Sequence, residues 1–172
     1  MTALVTGATG HLGANLVRML VARGEHVRAL VRRDSQALDG LGGVEQVYGD
    51  VLAPKSLVPA MNGANSVFHL AGKVSVWGDP DGTVFRVNVQ GTENVLQAAI
   101  ESGVERFIHC SSLHAFDLYG SSASVVDETL PLTKAESGAT AYECSKAESE
   151  RRVHDAINRG LDAVIVNPTG VV

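Results

Sequence analysis

Two residues at the start of a long helical pattern, Tyr142 and Lys146, have the side chains with the clearest chemical use in this sequence. Their four-residue spacing places both on one face of a helix. A tyrosine hydroxyl, with an ordinary pKa of about 10, is a poor base at neutral pH, but a neighbouring ammonium group favours the phenolate. The pair is therefore suited to exchange a proton with an alcohol or a carbonyl. The alternative, for the pair taken alone, is an exposed helix turn without chemistry.

A pair of serines favours the chemical interpretation. Ser111 and Ser112 directly follow a predicted strand, Glu105–Cys110. The carboxyl ends of parallel strands line the ligand crevice of an open α/β sheet. A serine hydroxyl at that edge can face the same crevice as Tyr142 and hydrogen-bond the reacting oxygen.

A glycine-rich segment near the start of the chain predicts a dinucleotide site. Residues 6–13 are T-G-A-T-G-H-L-G, between an apolar strand pattern in residues 1–5 and a helical pattern in Asn15–Arg23. In this context Gly7 allows a tight turn, Gly10 lets the backbone approach a pyrophosphate, and Gly13 lets the helix pack against the strand. The phosphates would then lie at the helix N-terminus. The alternative is a glycine-rich turn without a ligand.

The elements that must position these residues alternate along the chain. Apolar runs predict strands, and 3.6-residue periodicity with start and stop signals predicts helices. This alternation predicts a single α/β domain over residues 1–172, a doubly wound parallel sheet of the Rossmann type. Two long irregular stretches, Lys73–Asp81 and Leu113–Gly138, follow strands and are candidates for substrate contact. The further strands are predicted at His26–Val31, Val44–Tyr48, Ser66–Ala71, Glu105–Cys110 and Asp162–Asn167, and the further helices at Pro54–Met61, Thr83–Ser102 and Thr140–Arg159.

The composition narrows the classes of partner. The chain has 172 residues, 45% of them hydrophobic, and a formal net charge of -5 without a long Lys/Arg run, so nucleic acid is not the expected partner. No apolar run approaches the roughly 18 residues of a membrane span. The two cysteines lack zinc-type or redox-type spacing and the six histidines form no metal motif, so we expect no metal site. A reduced cytoplasmic location is the expectation.

Taken together, the motifs resemble those of the extended short-chain dehydrogenase/reductase family. The sequence is most similar to the group of dihydroflavonol reductase-like proteins and NAD-dependent epimerases/dehydratases, and the resemblance covers the whole chain. It rests on seven motifs in family order: residues 6–13, Gly49-Asp50, residues 68–72 (F-H-L-A-G), residues 88–92 (N-V-Q-G-T), Ser111-Ser112, Tyr142-x-x-x-Lys146 and residues 167–171 (N-P-T-G-V).

The resemblance implies a role for each matching residue. Tyr142 would be the general acid/base, Lys146 its pKa-lowering partner and a ligand of the nicotinamide ribose, and Ser112 the hydroxyl that orients the reacting oxygen. In this family the serine usually stands four residues before an aromatic residue, here Phe116, which favours Ser112 over Ser111. For Ala71, Gly72 and Asn88 a purely structural role is the alternative. The cofactor-binding residues would be Gly7, Thr9, Gly10, His11, Leu12, Gly13, Asp50, Val51, Ala71, Gly72, Asn88, Ser111, Tyr142, Lys146, Pro168 and Val171.

The end of the second strand bears on cofactor choice. Where an acidic residue would hold the 2'-hydroxyl of an adenosine ribose, this sequence has Val31, followed by Arg32 and Arg33. Guanidinium groups suit a 2'-phosphate, which favours NADP(H). Asp34 argues for the alternative, NAD(H), and two solvated arginines are the third interpretation.

Two further residues are candidates for substrate contact. His114 lies two residues beyond Ser112, and Trp77 lies in the loop after the fourth strand. For both, ordinary packing is an equally good interpretation.

The sequence therefore predicts an NADP-dependent reductase of a small carbonyl compound, or the reverse oxidation of an alcohol. The alternatives are a nucleotide-sugar epimerase or dehydratase that retains NAD, and a non-catalytic NADP-binding sensor or scaffold. The resemblance implies a smaller substrate lobe beyond Val171, so we expect this chain to be the N-terminal portion of a longer enzyme. It also makes a homodimer a candidate assembly.

Overall fold

The computed structural model describes residues 1–75, 77–119, 125–135 and 138–171. The two stretches predicted as substrate loops therefore lie partly outside the described residues, at position 76, positions 120–124 and positions 136–137. Six strands form one parallel sheet in the order β3-β2-β1-β4-β5-β6, which confirms the doubly wound prediction. The strands are β1 (Thr2–Thr6), β2 (His26–Val31), β3 (Val44–Tyr48), β4 (Ser66–His69), β5 (Arg106–Cys110) and β6 (Ala163–Val166).

The helices follow the predicted pattern with two differences. The first helix begins at His11, a full turn before the predicted Asn15, because Gly13 and Ala14 pack against the glycine turn. The helix predicted over Thr83–Ser102 contains a π-helical segment at Arg86–Gln90. The helices are α1 (His11–Ala22), α2 (Leu57–Met61, preceded by a 3₁₀ turn at Pro54–Ser56), α3 (Thr83–Phe85), α4 (Gly91–Glu101) and α5 (Ala141–Asn158).

The two faces of the sheet are covered unequally. On one face, Leu4, Val67 and Phe107 form an adjacent row across β1, β4 and β5 and pack in one core with apolar residues of α2, α4 and α5. On the other face, Val5 and Val17 belong to a smaller core around α1. The continuation of that face onto β6 is exposed, since Val164 is 36% accessible.

The strand order reverses beside β1. From β1 the chain proceeds to β2 and β3 on one side, then returns to β4, β5 and β6 on the other. In doubly wound sheets this reversal opens a crevice at the carboxyl ends of the strands. The glycine turn after β1, the segment after β4 and the serines after β5 all end at this crevice.

Within the described part of the chain, no helix has both the length and the apolar character needed to cross a bilayer. In the same residues, no three His, Cys, Asp or Glu side chains are grouped so that they could hold a metal ion.

Candidate active site

The glycine turn after β1 has the close packing expected of a phosphate-binding loop. Gly7 has φ +68°, and a Cβ on it would lie 2.7 Å from the Ala71 nitrogen. A Cβ on Gly13 would lie 2.0 Å from the Gly7 oxygen, so only glycine lets α1 approach this closely. No side chain caps α1 at Gly10. Such an uncapped N-terminus is a suitable position for an anion.

A groove runs from this turn in two directions. Toward β2 and β3 it opens into a space of about 560 Å³ that Thr9, Val31, Arg32, Asp50 and Val51 line. Ala71 and Gly72 border the same space from the end of β4. The predicted cofactor residues at this end are therefore neighbours in space, with the exception of Arg33, which is exposed and does not line the groove.

The acidic residue that argued for NAD(H) is engaged elsewhere. Asp34 accepts a short hydrogen bond from the Tyr48 hydroxyl at the end of β3. Asp34 does not line the groove, whereas Arg32 does.

Toward β5 and β6 the groove continues as a space of about 400 Å³. The three residues assigned to catalysis from the sequence, Ser112, Tyr142 and Lys146, line this space together. The walls also include predicted cofactor residues from both halves of the chain: His11, Leu12, Gly72, Ser111, Pro168 and Val171.

Helix α5 holds Tyr142 in its first turn by a capping box. The Thr140 hydroxyl accepts from the Glu143 nitrogen at 3.2 Å, and Glu143 Oε2 accepts from the Thr140 nitrogen at 2.7 Å. This reciprocal pair satisfies N–H groups that the first turn would leave unpaired. It fixes the start of α5, and so places Tyr142 and Lys146 one turn apart at the groove.

The electrostatics of Tyr142 differ from the prediction. Burial raises the pKa of Tyr142 above its ordinary value, and this outweighs the opposing interaction with the Ser112 hydroxyl. Lys146, which was expected to lower this pKa, is not among the causes of the shift, and its Nζ donates to the Cys110 carbonyl oxygen at 3.0 Å. Burial also lowers the pKa of Lys146, which the Glu150 carboxylate partly counteracts.

Asn88 supports the site from behind. Its side-chain oxygen accepts from the Lys73 nitrogen at 2.7 Å, and its amide nitrogen donates to the Lys73 oxygen and to Ser145 Oγ, both at 2.9 Å. Asn88 is buried within the π-helical segment and does not line the groove. The structure thus connects the segment after β4 to α5 through one amide.

A buried polar chain beneath the glycine turn was missed by the sequence analysis. His69 lies between the Thr6 hydroxyl, at 2.7 Å from Nδ1, and the Thr92 hydroxyl, at 2.9 Å from Nε2. The His109 ring stacks on it with centroids 5.5 Å apart. The only available signal was the presence of two histidines in strands that are otherwise apolar.

The two proposed substrate residues are placed differently. The His114 ring lies edge-on to Tyr142 with centroids 6.3 Å apart, and its Nδ1 is 3.6 Å from Glu143 Oε1. Trp77 is 92% exposed. Neither residue lines the groove. His114 is nevertheless a neighbour of Tyr142, one of the three residues assigned to catalysis.

Comparison with known proteins gives a consistent assignment. The chain is 47% identical over its whole length to a sterol demethylase protein B from Methylococcus capsulatus and 39% identical over 96% of its length to a putative dihydroflavonol 4-reductase from Synechocystis. A crystal structure of a short-chain dehydrogenase/reductase superfamily protein from Agrobacterium tumefaciens with bound NAD covers 97% of the chain, with TM-score 0.82 and 31% identity. The chain spans about half the length of these proteins: 52%, 48% and 48%.

A family model also matches most of the chain. The model for the 3-beta hydroxysteroid dehydrogenase/isomerase family aligns with residues 4–166. These residues contain strands β2 to β6, all of β1 except its first two residues, and the Ser112, Tyr142 and Lys146 positions. The chain therefore belongs to the 3-beta hydroxysteroid dehydrogenase/isomerase family, within the extended short-chain dehydrogenases/reductases.

Proposed function

We propose that this chain carries the cofactor site and the acid/base group of a nicotinamide-dependent oxidoreductase that reduces a carbonyl of a small organic molecule. The observation that carries the proposal is the convergence of Ser112, Tyr142 and Lys146 on one end of a groove whose middle is the glycine turn. One relative, a putative dihydroflavonol 4-reductase, carries a name that agrees with this reaction class.

The residues present fit a dinucleotide. The glycine turn packs closely against its surroundings, because a Cβ at Gly7 or Gly13 would collide with backbone. The pyrophosphate would lie at this turn, the adenosine near Asp50 and Val51, and the nicotinamide near Pro168 and Val171. When bound, the nicotinamide supplies or accepts the hydride.

The chain's own residues handle the proton. Because burial raises the pKa of Tyr142, its hydroxyl is protonated at neutral pH and is ready to donate to the oxygen of a carbonyl. The Ser112 hydroxyl, which interacts with Tyr142, orients that oxygen. Lys146 lines the same space, where the resemblance makes it a ligand of the nicotinamide ribose.

The test is turnover with NADPH and a panel of carbonyl compounds: a 3-oxosteroid, a 3-oxo acid ester and an aromatic aldehyde. Tyr142→Phe removes the proton donor, and we expect a loss of about a hundredfold to ten-thousandfold with NADPH affinity retained. The matched control is Tyr119→Phe, because Tyr119 is 81% exposed. Unchanged turnover in Tyr142→Phe would refute the mechanism, and NAD that stays bound through purification would favour the epimerase/dehydratase alternative.

We propose NADP(H) as the preferred cofactor. Arg32 lines the adenosine end of the groove, whereas Asp34, the acidic residue that argued for NAD(H), does not line it and accepts a hydrogen bond from Tyr48. A guanidinium at this position can pair with a 2'-phosphate, which NAD lacks. The bound NAD in the Agrobacterium protein belongs to a relative of 31% identity.

Cofactor preference is tested by the ratio of NADH to NADPH dissociation constants. Arg32→Ser should reduce that ratio by weakening NADPH alone, whereas Arg33→Ser should change it less, because Arg33 does not line the groove. A wild-type protein that binds NADH more tightly than NADPH would overturn the proposal.

A further inference from the structure

A buried carboxylate lies behind the catalytic end of the groove and takes no part in the mechanism described above. Glu150 is one helical turn beyond Lys146 on α5 and is only 2% exposed. Acidic side chains are rarely buried this fully unless they have partners. Partners for the Glu150 carboxylate are therefore expected among the residues around it.

The main partner of Glu150 is an amide that also reaches the catalytic serine. Asn167 Nδ2 donates to Glu150 Oε1 at 2.5 Å and to the Ser112 carbonyl oxygen at 3.2 Å. Asn167 directly follows β6, so this one amide joins α5, the segment after β5 and the segment after β6. Two backbone hydrogen bonds reinforce the junction, from the Ser111 nitrogen to the Val166 oxygen at 2.8 Å and from the Leu113 nitrogen to the Pro168 oxygen at 3.1 Å.

The charged and polar groups around Glu150 come from each of these elements. On α5 itself they are Lys146 and His154, and from the end of β5 the Ser111 hydroxyl approaches the carboxylate. Among the described residues, that hydroxyl has no partner within hydrogen-bond geometry. Glu150 therefore has a single good hydrogen bond, to Asn167, and one nearby cation on the groove side, Lys146.

We propose that Glu150 is a positioning residue of the active site, which through Asn167 holds the Ser112 backbone and the Pro168–Val171 wall in place and which brings its charge one helical turn from Lys146. This inference rests on the proposed function. A carboxylate suits the task better than a neutral group, because a charge-assisted hydrogen bond is shorter and stronger than a neutral one. The site would lose two properties without it: the fixed position of Ser112 and the counter-charge of Lys146.

The charge component is tested without turnover. In protein labelled with ¹⁵N-lysine, the pKa of Lys146 is followed by NMR in the wild type and in Glu150→Gln, which keeps the shape of the side chain. Glu150 raises the pKa of Lys146, so the substitution should lower it. A residue that acted only as packing would leave this pKa unchanged.

The positional component is tested by kinetics on the best carbonyl substrate of the panel. Glu150→Gln and Asn167→Ala should each lower kcat by about tenfold, since small displacements of reacting groups are costly. NADPH affinity should fall less than kcat, because the glycine turn, which would hold the pyrophosphate, is untouched. The double variant should lose little more than the worse single variant, since both substitutions break the same bridge.

The matched control is Glu148→Gln, two residues earlier on the same helix. Glu148 pairs with Arg151 and Arg152 at the surface, at 3.3 and 2.7 Å, and its removal takes away the same charge. An unchanged Lys146 pKa and kcat in folded Glu150→Gln, or equal effects in Glu148→Gln, would overturn the proposal. If Glu150→Gln does not fold, Asn167→Ala decides: a lowered kcat with retained NADPH affinity supports the bridge and an unchanged kcat refutes it.

These outcomes are separable from the proposed function. Loss of activity in Tyr142→Phe supports the reaction class whatever Glu150 does. Conversely, the NMR measurement on Lys146 decides the charge component even if no compound of the panel is turned over.

Discussion

The buried His69 imidazole makes the stability of this fold depend on pH in a specific way. The Thr92 hydroxyl donates to the main-chain carbonyl oxygen of Asn88 at 2.6 Å, so its own oxygen must accept from His69 Nε2. Nδ1 is then the acceptor for the Thr6 hydroxyl, whose oxygen itself accepts from the Ala71 nitrogen. This arrangement of donors fits the neutral imidazole, and a second ring proton on Nδ1 would remove the acceptor of the Thr6 hydroxyl.

The magnitude follows from proton linkage. Burial, with a smaller effect of Lys146, lowers the pKa of His69 from 6.5 to about 3. Between these values the unfolded chain binds a proton that the folded chain does not. The free energy of unfolding should therefore be greatest above pH 6.5 and fall as the pH drops toward 3, by about 1.4 kcal/mol per pH unit from His69 and about 5 kcal/mol over the window.

The assay is urea unfolding between pH 4.5 and 7, followed by far-UV circular dichroism, because the single tryptophan is 92% exposed and reports poorly on the core. The asparagine side chain introduced in His69→Asn cannot titrate. The free energy of unfolding of this variant should therefore fall less steeply with decreasing pH than that of the wild type, and the two slopes should differ by about 1.4 kcal/mol per pH unit. It should also be less stable at pH 7, by about 1–3 kcal/mol for each buried hydroxyl left unpaired. His154→Asn, at an exposed position, is the control.

The variant is compared with the wild type at each pH, because Glu150 also contributes to the pH dependence of stability. Burial raises the pKa of Glu150, so its contribution stabilises the fold as the pH falls and opposes that of His69; the comparison cancels it. Equal pH slopes for the wild type and His69→Asn would show that His69 titrates normally and would refute the reasoning. If the variant does not fold, the protonation state of His69 is read from the ring ¹⁵N shifts of the wild type. A doubly protonated His69 ring in the folded protein at pH 5 would also refute the reasoning.

Three further substitutions test packing and capping. Gly13→Ala should abolish tight NADPH binding and destabilise the protein by about 1–3 kcal/mol, because the new Cβ would lie 2.0 Å from the Gly7 oxygen; NADPH titration and thermal unfolding measure both effects. Thr140→Ala should cost about 0.5–2 kcal/mol in urea unfolding through loss of the cap, and a cost of zero would contradict the capping box. Phe107→Ala should cost about 3–5 kcal/mol because Phe107 is fully buried, whereas half-exposed Phe85→Ala should stay within about 0.5 kcal/mol.

The sheet could be predicted from the sequence because its strands are short apolar runs between turn signals. All six predicted strands occur, and their ends differ by no more than two residues. The start of α1 was predicted too late, since Gly13 in its first turn lowers helix propensity and only tertiary packing against the turn makes that segment helical. The π-helical segment around Asn88 has no residue pattern of its own and was not predicted.

The site was predictable where it depends on local spacing and unpredictable where it depends on distant contacts. Tyr142 and Lys146 meet because four residues make about one helical turn. By contrast, Lys146 bonds to a carbonyl 36 residues away and His69 to a hydroxyl 63 residues away, and no local pattern reports such pairs. The Thr140–Glu143 cap was readable as T-x-x-E but was overlooked.

The reversal of strand order beside β1 divides the groove between two separately built regions. Arg32 belongs to the β1–β3 region, and Tyr142 to a helix that packs against the β4–β6 region. The two residues line different spaces, and substitutions at such independent positions usually change free energies additively. Substitutions around Arg32 can therefore change which dinucleotide binds without changing the residues that transfer the proton.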